Sequence, residues 1–108
     1  MGATDFYATG SGMSAKRAFD VAQEKAQYDN GHDGYTGTIA EKSEFVVIQS
    51  KPICSHDAME LAEKLIEDRD ARIDDKWGPA GAIRLIQPMS QHAADATERW
   101  LFFGIASA

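Results

Sequence analysis

Basic residues, cysteine and long apolar runs are all scarce in this chain, and each shortage removes a class of function. Eleven Lys and Arg stand against seventeen Asp and Glu in 108 residues, a formal charge of −6. That deficit argues against a nucleic acid as partner, because binding a phosphate backbone relies on cations that displace condensed counterions. The single cysteine, Cys54, has no second thiol with which to form an internal disulfide, which suits a reducing cytoplasm. The longest apolar stretch, Trp100 to Ala106, falls far short of the roughly 20 residues that span a bilayer. The start, Met1 to Phe6, has neither the basic nor the apolar region of a signal peptide, and Phe6 stands where a myristoylation signal requires Ser or Thr. A soluble, cytoplasmic protein without membrane contact is expected. No catalytic signature occurs, and neither a cofactor nor a metal is expected.

The length suits one domain, 1–108, with a core that needs no staple. Thr4 to Thr9 reads as a short first strand, ended by the breaker Gly10-Ser11-Gly12. From the N-cap Ser14, residues Ala15, Ala18, Phe19, Ala22 and Ala26 recur at helical spacing, and Asn30-Gly31 closes the helix. Its alanine-rich face lets it lie close to a sheet. Thr36 to Glu41 and Phe45 to Gln49 read as a hairpin joined by Lys42-Ser43-Glu44. The run Phe45-Val46-Val47-Ile48 suggests a strand covered on both faces or placed centrally. After Pro52, Ser55 caps a second helix with Asp57 in its first turn, the stripe Ala58, Leu61, Ala62, Leu65 and Ile66, and an i,i+4 pair Glu60–Lys64 on its exposed side. A charged segment then leads to the turn Trp77-Gly78-Pro79-Ala80-Gly81, a strand over Ala82 to Gln87, a polar loop from Pro88 to Thr97, and the most apolar strand, Arg99 to Ala106.

The order β-α-β-β-α-β-β predicts an α+β fold whose first six elements match the ferredoxin-like arrangement: an antiparallel sheet, both helices on one face, and an added C-terminal strand. The last strand alternates apolar residues on both faces, and helices on one face cover only half of them. Homodimerisation through the open sheet face follows as an expectation.

Residues 31–39, Gly-His-Asp-Gly-Tyr-Thr-Gly-Thr-Ile, are the least scaffold-like part of the chain. Gly34 and Gly37 would free backbone N–H groups while His32, Tyr35, Thr36 and Thr38 supply side chains for a phosphate or another small polar ligand. The alternative is a helix end and a turn, both of which use glycine for steric reasons. No Gly-Lys-Ser/Thr follows, so the segment is not a P-loop. Gly10-Ser11-Gly12, beside Lys16 and Arg17, has the polarity of an anion site before a helix but lacks a dinucleotide fingerprint. His32-Asp33, His56-Asp57 and Cys54 offer metal-ligand types at spacings that do not suit a metal, since adjacent His and Asp on a helix are expected to point apart. Cys54 near His56 is the weak basis for a small hydrolase.

Residues 55–76 hold eight acidic against four basic side chains, most of the chain's net charge. Glu63, Glu67, Asp68, Asp70, Asp74 and Asp75 are therefore the candidate docking residues for a protein with a basic surface; the alternative is an ordinary solvated helix face. Asp68, Asp70 and Asp74 lack the turn glycine and terminal Glu of a calcium loop. Trp77 and Trp100 are candidates for a partner surface, with core packing the simpler use of Trp100.

The stretch from Ala18 through Lys42, above all Gly31-His32-Asp33-Gly34-Tyr35-Thr36-Gly37-Thr38-Ile39-Ala40-Glu41-Lys42, resembles a segment of small bacteriophage and prophage proteins. The resemblance implies a phage-like setting, in which compact acidic proteins such as some anti-CRISPR proteins inhibit host machinery. The function expected is thus non-enzymatic binding of a basic partner surface, with a small-ligand or nucleotide-binding loop as the alternative and a small hydrolase third.

Overall fold

A computed structural model describes residues 3–30, 38–86 and 97–107. Strand β1 spans Ala3–Gly12 and helix α1 Ala15–Asn30; a single 3₁₀ turn at Ile39–Glu41 precedes β2, Phe45–Ile53. Helix α2 covers Ser55–Glu67, β3 Ala80–Leu85 and β4 Glu98–Ser107. The four strands form one open mixed sheet in the order β1-β4-β3-β2. β4 runs antiparallel to both β1 and β3, whereas β2 pairs parallel with β3. The fold is α+β, as the element order predicts, but the strand order is not the ferredoxin-like one.

The helices lie on opposite faces of the sheet, not on one. Ala18, Phe19 and Ala22 of α1 share a core with Phe6, Ala80, Ala82, Trp100, Phe102 and Ala106, while Ala58 and Ala62 of α2 share another with Ile83, Leu85, Leu101 and Phe103. Side chains of a strand alternate between faces, so Phe102 and Phe103 can belong to only one core each. Connectivity supplies the reason. β1, β2 and β3 all run in the same direction, and the step from β1 to β2 crosses the sheet one way while the step from β2 to β3 returns. Right-handed crossovers in opposite directions put their helices on opposite faces. The apolar second face of β4 is therefore covered by α2, which removes the reason for dimerisation through an open face.

Of the hairpin expected at Thr36 to Gln49, the described part of its first strand, residues 38–41, is not a strand. Residues 36 and 37 lie outside the described region, and Thr38 caps the 3₁₀ turn, its Oγ1 accepting from Ala40 N at 3.2 Å. The Gln23 amide of α1 donates to the carbonyls of Ile39, at 3.3 Å, and Lys42, which ties the turn to the helix and leaves no strand ladder there. β2 is consequently an edge strand. Its apolar run is covered in full on one face only: Val46 and Ile48 pack with the α2 core, while on the other face Phe45 packs with the α1 core and Val47 is exposed. Pro52 sits within β2, tolerated because an edge strand need not supply every N–H.

Capping fixes the helix starts. Ser14 behaves as expected, with Oγ accepting from Arg17 N at 3.3 Å. For α2 the cap is Cys54, one residue before the expected Ser55: its Sγ accepts from Asp57 N at 3.5 Å. Glu60 turns to His56, at 3.2 Å, instead of to Lys64. Gly10 and Gly12 belong to β1 and do not break it. A Cβ on Gly10 would stand 2.2 Å from the Ala18 carbonyl oxygen, so glycine there is what lets α1 approach the strand.

Candidate functional site

Of the four candidate binding residues in the glycine segment, His32, Tyr35 and Thr36 lie outside the described region, and Thr38 is the one placed. Besides capping its turn, Thr38 rims a cleft of about 300 Å³ between α1 and β1, which residues 6–9, Ala22, Lys25, Ala26 and Ile39 complete. The cleft follows from the alanine face of α1: small side chains bring the helix close but fill little of the space below its second half.

The acidic stretch divides into two kinds of residue. Glu63, Glu67, Asp68 and Asp74 are exposed and make no ion pair among the described residues. Asp70 and Asp75 serve the chain's own turns. Asp70 grips Arg72 through two side-chain bonds, Nε to Oδ1 and Nη2 to Oδ2 at 2.9 Å each, and accepts the Arg72 backbone N–H at 2.9 Å. The hydrogen bonds from Arg72 hold the Asp70 carboxyl down to about 2. Asp75 accepts the Trp77 backbone N–H at 2.9 Å. The set of acidic side chains free of such local bonds is thus narrower than composition implies.

Lys42, which the sequence presents as one residue of a polar turn, is the one buried cation among the described residues, with 3% of its surface exposed. Its Nζ donates to the carbonyls of Asp75 at 3.1 Å, Lys76 at 3.2 Å and Gly78 at 2.9 Å. Burial pulls its pKa below the ordinary lysine value, against the opposing pull of Asp75 and Glu41. Three carbonyls converging on one ammonium fix the turn that displays Trp77, which is 65% exposed and has the Lys76 ammonium 5.4 Å from its ring centre. Trp100 takes the opposite role: it is buried, and Nε1 donates to Glu98 at 2.9 Å.

At the start of α2, the donor atoms of His56, Asp57 and Glu60 lie within 4.8 Å of one another. Adjacent His and Asp therefore do not point apart here, contrary to the expectation from helical geometry. All three are exposed and sit at the positive end of the helix, an electrostatic setting that opposes a cation. The His56 ring is engaged by Glu60 and Cys54 Sγ by the Asp57 N–H, and no hydrogen bond joins Cys54 to His56 among the described residues. Tyr7, on the α2 side of β1, has its pKa pushed up to about 12 by burial, by a hydrogen bond with Asp5 and by the nearby charges of Asp5 and Glu63.

No helix among the described residues is long and apolar enough to cross a membrane. No protein-family model, no curated protein and no solved structure matches the chain.

Proposed function

We propose that this chain is a non-enzymatic binding protein that docks an acidic face on the basic surface of a partner protein. Glu63 and Glu67 on α2, with Asp68 and Asp74 in the turns after it, make the contact, while Asp70 and Asp75 shape those turns. One observation carries the reading: four exposed carboxylates cluster in sequence around the end of α2, and none is neutralised by a cation among the described residues. Such a surface repels its own kind and attracts a basic one, and it speeds encounter most at low salt. Trp77, held beside it by Lys42, supplies an aromatic anchor of the kind that dominates binding hot spots. A phage-derived inhibitor of host machinery, in the manner of some anti-CRISPR proteins, is the setting that suits this surface.

The test is a pull-down from bacterial host lysate with tagged wild type and with the variant Glu63→Gln, Glu67→Gln, Asp68→Asn, Asp74→Asn. A basic protein retained by wild type, weakened by salt and absent from the variant supports the reading. A partner held equally by both excludes the acidic face.

A further inference from the structure

The two edges of the sheet are built differently. β2 carries Lys51 and Pro52 and departs twice from regular register against β3, devices that blunt an edge against pairing. β1 has none of them. Its ten residues hold unbroken register with β4, include no proline or basic residue, and carry Asp5 as their single charge. Among the described residues no strand pairs with its outer side.

The cleft below α1 lies against this strand. It touches four consecutive residues, Phe6 to Thr9, although alternate side chains face opposite sides of the sheet, so the cleft reaches the β1 main chain itself. Its apolar wall is Phe6, Ala22, Ala26 and Ile39. Gln23 reaches the 3₁₀ turn on the inner flank of α1, and Lys25, two residues on and about 200° around the helix, stands on the opposite flank. Lys25 makes no ion pair among the described residues.

We propose that this cleft receives a short extended peptide, which adds as a further strand to the outer edge of β1. The peptide inserts an apolar side chain against Ala22 and Ala26 and sets its C-terminal carboxylate at Lys25. Strand addition beside a helix takes its affinity from main-chain hydrogen bonds and its selectivity from the side-chain pocket and the terminal charge. A cleft of about 300 Å³ suits one apolar side chain with its backbone and sits at the small end of ligand sites. A second copy of this chain fits less well, because pairing β1 with β1 brings a second Lys25 flank to the same seam. The site is separate from the acidic face and does not depend on it.

Fluorescence anisotropy with a labelled hexapeptide, Thr-Val-Thr-Val-Thr-Val with a free C-terminus, tests the assignment on the full chain. Saturable binding is expected, weakened about tenfold by Lys25→Glu or by amidation of the peptide, with no further loss when the two are combined. Ala26→Leu, which fills the cleft, and N-methylation of alternate peptide bonds, which removes strand hydrogen bonds, should each abolish it. Lys25→Glu alters an exposed residue and keeps the test sound if Ala26→Leu fails to fold. Binding that tolerates N-methylation or is indifferent to Lys25→Glu overturns the proposal, as does no saturation by about 1 mM peptide. Octanoate raising the unfolding midpoint where the peptide does not bind reassigns the cleft to small amphiphilic acids. A sedimentation dimer that the peptide does not compete away reassigns the edge to a second copy, and either outcome also overturns the proposal.

Discussion

The two faces of the sheet are filled by different means. Under α1, large aromatic rings alternate with alanines: Phe19, Phe45 and Phe102 meet with ring centres 5.1 to 5.7 Å apart, two of the three pairs edge to face. Under α2 the filling is mostly branched aliphatic, from Ile83, Leu85 and Leu101, closed by Ile73 from the turn beyond the helix. Gly81 makes this closure possible, since a Cβ there would stand 2.6 Å from the Phe103 ring and 3.0 Å from Ile73. The aromatic face concentrates its packing in a few residues and leaves a cleft beside its alanines. The aliphatic face spreads its packing evenly and presents its charge outward. The sharpest way to break this contrast is a matched pair of truncations read by urea unfolding. Phe102→Ala should cost about 3–5 kcal/mol and Ile73→Ala about 2–4 kcal/mol. Equal losses would mean that the aromatic cluster is no more concentrated than the aliphatic layer.

Lys42 joins the two faces, reaching from the 3₁₀ turn on the α1 side to the 75–78 turn that precedes β3. Lys42→Met keeps the length of the side chain and removes the donor, leaving three carbonyls without their ammonium, for a cost of about 2–3 kcal/mol. Hydrogen exchange should rise at residues 74–78 and stay unchanged in the first half of α1. Uniform acceleration across both would show that the lysine supports the whole fold and not the turn.

Much of this architecture is legible in the chain, and the illegible parts have a common cause. β4 is readable because seven consecutive apolar residues have no other use than a strand covered on both sides, and α1 because alanines at helical spacing follow a serine cap. Which face each helix covers is a matter of strand direction, and a hairpin and a parallel crossover look alike in local pattern. The segment before β2 resembles a strand because Thr and Ile favour one, yet the Gln23 amide, distant in sequence, turns it into a 3₁₀ cap. Lys42 carries no signal, since a lysine in a polar turn is ordinarily solvated. Ile73 does carry one: it is the lone branched apolar residue of an otherwise charged stretch, a mark of burial. The acidic character of the candidate face is plain from composition, whereas the internal employment of Asp70 and Asp75 depends on how the turns after α2 fold.

A pH titration sharpens the contrast from the α2 side. The folded-state pKa of Tyr7, about 12, exceeds its ordinary value of 10.0, so the folded chain keeps a proton that the unfolded chain has lost in that interval. The contribution is complete below pH 10 and disappears as pH rises toward about 12. Tyr7→Phe should flatten the fall in unfolding midpoint across this window. A fall of the same size in the variant would place the effect elsewhere.

The smallest effect concerns how α2 ends, the point where the aliphatic face gives way to the acidic turns. Arg69 N donates to Ile66 O at 3.1 Å and Asp70 N to Leu65 O at 3.0 Å, the hydrogen-bond pair of a Schellman cap. The residue at its left-handed position is normally glycine, yet Arg69 holds φ at 54°. Arginine there loses on backbone strain and gains a little from its charge beside the negative end of the helix. At an exposed site the strain outweighs the charge, so Arg69→Gly should raise stability by about 0.5–1 kcal/mol, seen as a higher urea midpoint at unchanged slope. Arg69→Ala keeps the strain while losing the charge and should fall below wild type. If the glycine variant also falls below wild type, the arginine side chain is supporting the turn, and the acidic face is less independent of its neighbouring cations than the unpaired carboxylates imply.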